Sequence, residues 1–171
     1  NEQGKVIGQG TTDADGNVDI ILTEPLKDNE SIHIIATDQA GNSSQQEIDV
    51  GDVSAPLLQD AVINPKGEVQ LSFNEALDAA HPPKVDDFIV MADAKAIVPS
   101  QIIIDGNHVT LVFNPPIYQG QNISVQYKDP TVANDLDGLQ DMSGNDVEGF
   151  SQVISQNNSQ IQNPSLPSTD L

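Results

Sequence analysis

Apolar and polar residues alternate in short runs along most of the chain. In Val69/Leu71/Phe73, Val109/Leu111/Phe113 and Ile123/Val125/Tyr127 every second side chain is apolar. This places one face of an extended segment in a core and the other in water. Asn17–Leu22 and Ser31–Ala36 are likewise rich in β-branched residues and bounded by turn formers, the mark of strands. Residues 4–51 read as about four strands, Lys5–Gln9, Asn17–Leu22, Ser31–Thr37 and Gln45–Val50, joined by Thr12–Gly16, Glu24–Asn29 and Asp38–Asn42. From Leu57 the pattern restarts with Leu57–Val62, Glu68–Phe73, Phe88–Ala92, Ile97–Ile104, His108–Phe113, Ile123–Tyr127 and Ser151–Ile154. Asp105-Gly-Asn107 is expected as a hairpin turn, and Asn74–Asp78 as one helical turn ended ahead of Pro82 and Pro83.

Short strands punctuated in this way predict an all-β chain of tandem Ig-like antiparallel β-sandwiches. Such a sandwich uses about seven strands, so the second set is complete and the first is not. Pro56 fixes its own φ and holds Ala55 extended, which marks a hinge over Asp52–Pro56. The expected organisation is an incomplete sandwich over 1–54, a complete one over 55–155 and a polar linker over 156–171, where Asn, Gln, Ser and Pro follow no apolar period.

Charge narrows the partners. Twenty-six acidic residues stand against six lysines, for a formal charge of −20. Such a surface cannot displace counterions from phosphate, so nucleic acid and anionic membrane surfaces are excluded as partners, and metal cations are favoured. The strand-like runs argue against disorder, although carboxylate repulsion weakens the fold unless cations bind. The absence of cysteine rules out disulfides and thiolate metal sites. No apolar run of about 18 residues offers a membrane-inserted segment. The abrupt start, with no leader peptide, is expected of an excised fragment.

Two stretches are similar to known domains. Residues 4–56, through Gly10-Thr-Thr-Asp-Ala-Asp-Gly16, Ala36-Thr-Asp-Gln-Ala-Gly-Asn-Ser-Ser44 and Gly51-Asp-Val-Ser-Ala-Pro56, resemble the C-terminal half of bacterial Ig-like repeats. Residues 56–150 resemble the SwmB-type domain, through Ala55-Pro-Leu-Leu58, Leu71-Ser-Phe-Asn-Glu-Ala-Leu-Asp78, Val109-Thr-Leu111, Val125-Gln-Tyr-Lys-Asp-Pro-Thr131 and Gln140-Asp-Met-Ser-Gly-Asn145. Together they resemble RTX-type giant surface adhesins of Gram-negative bacteria. The resemblance implies an extracellular, monomeric extender module at the bacterial cell surface, stiffened by Ca2+. Its partners would be neighbouring domains of the same adhesin and, through adjacent modules, a host or biofilm ligand. The first module lacks its opening strands, either because the sequence is trimmed or because an inserted module splits the domain.

The spacing Asp-x-x-Gly-Asn occurs at Asp38–Asn42 and again at Asp141–Asn145. Calcium takes about six to eight oxygens from carboxylates, amides, backbone and water, and the glycine permits a sharp turn. The expectation is that Asp38, Asn42 and Asp52 converge at the hinge, with Asp13 or Asp15 facing the same cation. The alternative is that Asp and Asn merely bond their own backbone in a turn. Around the second copy, Asp129, Asp135, Asp137, Asp141 and Asn145 make a dense acidic loop that needs either a cation or full solvation. That loop is expected to face a further joint. Asp13, Asp15, Asn17 and Glu24 imitate an EF-hand, but its sixth position, which requires glycine, is Val18, so a hairpin turn is read instead.

His33, His81 and His108 lack metal-ligand spacing, and a Glu75/Asp78 pair is what any acidic chain provides. No nucleophile, base or phosphate-loop constellation is present, so an enzyme is not expected. Two further readings stay open. One is a module that itself binds sugar or protein, weakened by the absence of Trp and by only two tyrosines, Tyr118 and Tyr127. The other is an accessory sandwich of a secreted polysaccharide-active enzyme.

Overall fold

The alternating runs become antiparallel sheet. A computed structural model describes residues 4–131, 134 and 136–165, in two units, Asn1–Ser54 and Ala55–Leu171. In the first unit β1 (Ser31–Thr37) and β2 (Ser43–Asp49) form a two-stranded sheet, with Ser31 opposite Asp49 and Thr37 opposite Ser43. Lys5–Gln9 and Asn17–Leu22, expected as strands, run side by side without a regular ladder. Thr23 N–H donates to Ile7 O at 2.7 Å and Asp13 N–H to Asn17 O at 2.8 Å. Gly8 permits their close approach, since a Cβ there would stand 2.6 Å from Ile20 Cγ2.

Among the described hydrophobics of this unit only Ile7 is buried, while Ile35 is 65 % and Ile21 90 % exposed. A lone two-stranded sheet is marginal in water. Among the described residues of this unit, β1 and β2 are the strands in a regular ladder.

The second unit is built from β3 (Leu58–Ile63), β4 (Val69–Phe73), β5 (Phe88–Ala92), β6 (Lys95–Ile97), β7 (Gln101–Asp105), β8 (His108–Val112), β9 (Ile123–Tyr127), β10 (Phe150–Ile154) and β11 (Gln156–Asn157). One sheet has the order β10-β9-β5-β6 and the other β11-β3-β4-β8-β7. Their inward faces supply the core, including Phe73, Leu71, Val109, Leu111, Phe88, Val90, Val125 and Tyr127. Phe88 and Tyr127 pack with ring centroids 5.1 Å apart. Burial of each large side chain contributes about 1.5–3 kcal/mol.

Three expectations change. Ile97–Ile104 is not one strand: β6 belongs to one sheet and β7 to the other, and the chain crosses between them at Val98-Pro-Ser100. Pro99 cannot donate to a ladder, so pairing stops there. Asn74–Asp78 is not helical. Asn74 exchanges hydrogen bonds with Leu57, and Leu77 bridges Asp141. The described helical turn is the 3-10 segment Val85–Asp87.

The polar segment expected as a linker is docked as far as the structure describes it. β11 pairs in parallel with β3, then Asn158 N–H donates to Ile63 O and Gln160 N–H to Pro65 O, both at 3.0 Å. Ser159, 2 % exposed, donates Oγ–H to Ile117 O at 2.7 Å. Of the four places where the chain changes sheet, two join edge strands, β6 to β7 at Val98–Ser100 and β10 to β11 at Ser155, and so link the two layers along both edges of the sandwich. Residues 166–171 of the expected linker lie outside the described residues.

Candidate functional site

The repeated motif is a turn with one fixed set of hydrogen bonds. In the first unit Asp38 N–H donates to Asn42 O at 2.9 Å, and Asp38 Oδ1 accepts from Ala40 N–H at 2.9 Å and Asn42 N–H at 2.8 Å. The Asn42 amide donates Nδ2–H to Asp38 Oδ2 at 2.8 Å, and Gly41 takes φ +88°. In the second unit Asp141 Oδ1 accepts from Ser143 N–H at 2.7 Å and Asn145 N–H at 2.9 Å, Asn145 Nδ2–H donates to Asp141 Oδ2 at 2.8 Å, and Gly144 takes φ +85°.

Two further turns follow the same backbone plan. Asp13 Oδ1 accepts from Asp15 N–H and Asn17 N–H, both at 2.9 Å, with Gly16 at φ +87°. Asn64 Oδ1 accepts from Lys66 N–H at 3.0 Å and Glu68 N–H at 3.2 Å, with Gly67 at φ +74°. The first residue of each turn satisfies the backbone of the third and fifth, and the fourth must be left-handed, which glycine does without strain. Asp15 enters only through its backbone N–H in this pattern.

Asp38 and Asp52 do not converge. Asp38 is at the β1–β2 turn, whereas Asp52 follows the far end of β2, where Asn29 N–H donates to Gly51 O at 2.7 Å. The register from Thr37↔Ser43 to Ser31↔Asp49 separates them by roughly 20 Å at the strand rise of about 3.4 Å. A single strand carries the chain to the opposite end of the sheet, and only a second would bring it back. Asp52 instead neighbours Asp28. Asp52 Oδ1 accepts from Ser54 N–H at 3.3 Å, and Asp28 Oδ1 accepts from Val53 N–H at 2.9 Å. Asp38 has three of its roughly four lone-pair sites filled within its own turn. Those bonds, led by the Asn42 side-chain amide, hold its carboxyl below the ordinary aspartate range. The turn alternative accounts for three of the Asp38 bonds and for the Asn42 backbone and amide N–H groups.

In the second unit Asp141 and Asn145 are 2 % and 8 % exposed. Their loop lies beside Asn74–Asp78 and Gly106, at the end of the unit where Leu57 meets Asn74. Glu75 and Asp141 each offer a carboxylate oxygen within 4.8 Å of the other. Asp78 Oδ2 pairs with His81 Nδ1 at 2.6 Å, and this contact is the main reason its carboxyl is held low. His108 bonds Ser72 Oγ at 3.0 Å, and His33 is exposed on β1.

Asp129 sits at a different point from Asp141. Its Oδ1 accepts from Thr131 N–H at 3.2 Å and would lie 3.2 Å from a Cβ built on Gly138. The same hypothetical Cβ would meet Tyr127 Oη at 3.2 Å and Asp146 Cγ at 3.6 Å, so three polar groups surround one buried glycine. Tyr127 Oη accepts from Leu139 N–H at 2.7 Å. Burial first, then the negative charges of Asp129, Asp87 and Asp146, push its phenol up to about 12. Asp137 is exposed on the loop leading to Gly138, and Asp135 lies outside the described residues.

Reading the sequence missed Gln140, Asp146 and Tyr127 here. Gln140 is 1 % exposed, and its Oε1 is buried with no hydrogen-bond donor. The available signal was the step from Leu139 to Gln140 and from Asp146 to Val147, which alternates as strands do. For Ca2+ the donor chemistry fits: carboxylates, a buried amide oxygen and loop backbone are hard oxygen donors, and the glycine leaves the space a side chain would fill.

The fold and this site define an all-β chain of Ig-like units. Residues 1–52 match the family model of the bacterial Ig domain, and residues 51–132 match that of the SWM repeat, a flagellar system-associated repeat. No curated protein and no solved structure matches the chain. Among the described residues no helix is long and apolar enough to cross a membrane.

Proposed function

We propose that this chain is a non-enzymatic structural extender of a bacterial surface protein of the adhesin type, that it works outside the cell, and that calcium stiffens it. The observation that carries the reading is the serial match of a bacterial Ig domain model and an SWM repeat model, which meet at residues 51–52. Repeat modules of this kind present length and spacing, and a formal charge of −20 gives divalent cations a large share in stability. A cation that binds only the folded form stabilises it by mass action, about 2.7 kcal/mol at a hundredfold excess over Kd. On a domain of this size that corresponds to about 10 °C in melting temperature. Calorimetry and small-angle scattering of the full chain, in EDTA and in millimolar Ca2+, test the reading. A higher melting temperature and a narrower distribution of dimensions with calcium are expected, and identical curves would refute the calcium part.

A further inference from the structure

Gln140 and Asp146 face each other across an antiparallel bridge, so their side chains stand side by side on one face. Their chain neighbours Leu139 and Val147 point the other way into the core. A polar face of this kind is ordinarily wet, yet Gln140 is 1 % and Asp146 6 % exposed. The Gln140 amide is oriented by Nε2–H reaching Asp78 Oδ2 at 3.5 Å, the only favourable sense beside a carboxylate. Its Oε1 is buried and accepts no hydrogen bond. Asp129 and Asp146 meanwhile converge on Gly138 from two sides.

We propose that Gln140 Oε1, Asp146 and Asp129 bind one calcium ion inside the second unit. This rests on the calcium reading above and gives it a location away from the repeated turns. An amide oxygen beside carboxylates has no hydrogen to accept from them, and a cation gives it a partner that the two carboxylates also attract. Two carboxylates and an amide leave room for backbone carbonyls and water, which calcium's irregular shell accepts and magnesium's strict octahedron does not. The Gly138 backbone gives the ion the space.

The test uses the full chain with Tyr118→Phe, which leaves Tyr127 as the single tyrosine in a protein without tryptophan. Titration with CaCl2 is expected to change Tyr127 fluorescence saturably, and MgCl2 at equal concentration to change it less. Gln140→Met should weaken calcium binding at least tenfold while its melting temperature in EDTA equals or exceeds that of the parent, because an unbonded buried oxygen has been removed. Asp129→Asn, at a half-buried position, keeps an oxygen for Thr131 N–H and should also weaken binding at least tenfold. It carries the test alone if Gln140→Met does not fold. Parent-like titrations of the folded variants would overturn this site and leave calcium to bind elsewhere. A parent that gives no calcium response by fluorescence or melting would overturn the calcium reading itself.

Discussion

The turns at Asp38–Asn42 and Asp141–Asn145 have the same bonds to within about a tenth or two of an ångström, yet one is exposed throughout at a hairpin tip and the other has its first and last residues buried. The motif therefore specifies a backbone shape and nothing about a ligand. What differs is the consequence of losing it. At Asp38 water can replace each bond, whereas at Asp141 removing the acceptor breaks the buried bonds from Asn145 N–H and Asn145 Nδ2–H, which water reaches poorly.

The largest effect is expected at the third glycine of the set. A Cβ on Gly67 would collide with the backbone oxygen of Ile117, and it would crowd the bond from Ile117 N–H to Gly67 O at 2.9 Å. Backbone cannot move aside as a side-chain tip can. Gly67→Ala should destabilise the second unit by about 3–4 kcal/mol, read from its urea midpoint by Tyr127 fluorescence. Asp141→Ala comes next, at about 3 kcal/mol in the same assay. Asp38→Ala should leave that transition unmoved and lower hydrogen-exchange protection only at Ala40, Asn42 and their neighbours. Equal effects of the two aspartate substitutions on global unfolding would break the comparison.

Much of the fold was legible because alternation reports burial directly: Val69/Leu71/Phe73 and Ile123/Val125/Tyr127 are β4 and β9 with those residues inward. Where binding is through backbone, the pattern is silent. Gln156–Ile161 carries little apolar signal, yet its amides and Ser159 fasten it along β3 and Ile117. Ile97–Ile104 misled because its isoleucines serve two sheets, and only Pro99 betrays the crossing. The candidate site was the least legible part. Asp129 was picked out for its charge, but Gln140 and Asp146 stand out only by their burial, which the fold sets and the residue type does not announce. The twice-seen Asp-x-x-Gly-Asn drew attention to aspartates whose oxygens the turn already uses.

Two smaller measurements sharpen the comparison from the side the two turns share. Gly41 and Gly144 take φ of +88° and +85°, and a methyl group at either would have nothing within 4 Å. Alanine at either should therefore cost the left-handed penalty alone, about 1 kcal/mol, and the two costs should agree despite the difference in burial. The smallest effect is the acid limb of the exposed turn. The Asp38 carboxyl is held low by the Asn42 side-chain amide first, then by backbone N–H groups. A folded value below the unfolded one means the contribution is complete above about pH 4, the ordinary aspartate range, and is lost as pH falls through the depressed folded value. Protection factors at Ala40 and Asn42 should hold steady from neutral pH down to about 4 and decline below it. In Asp38→Asn, which cannot titrate, that decline should vanish. A wild-type profile flat to lower pH would show that the three bonds orient the turn without favouring the charged form.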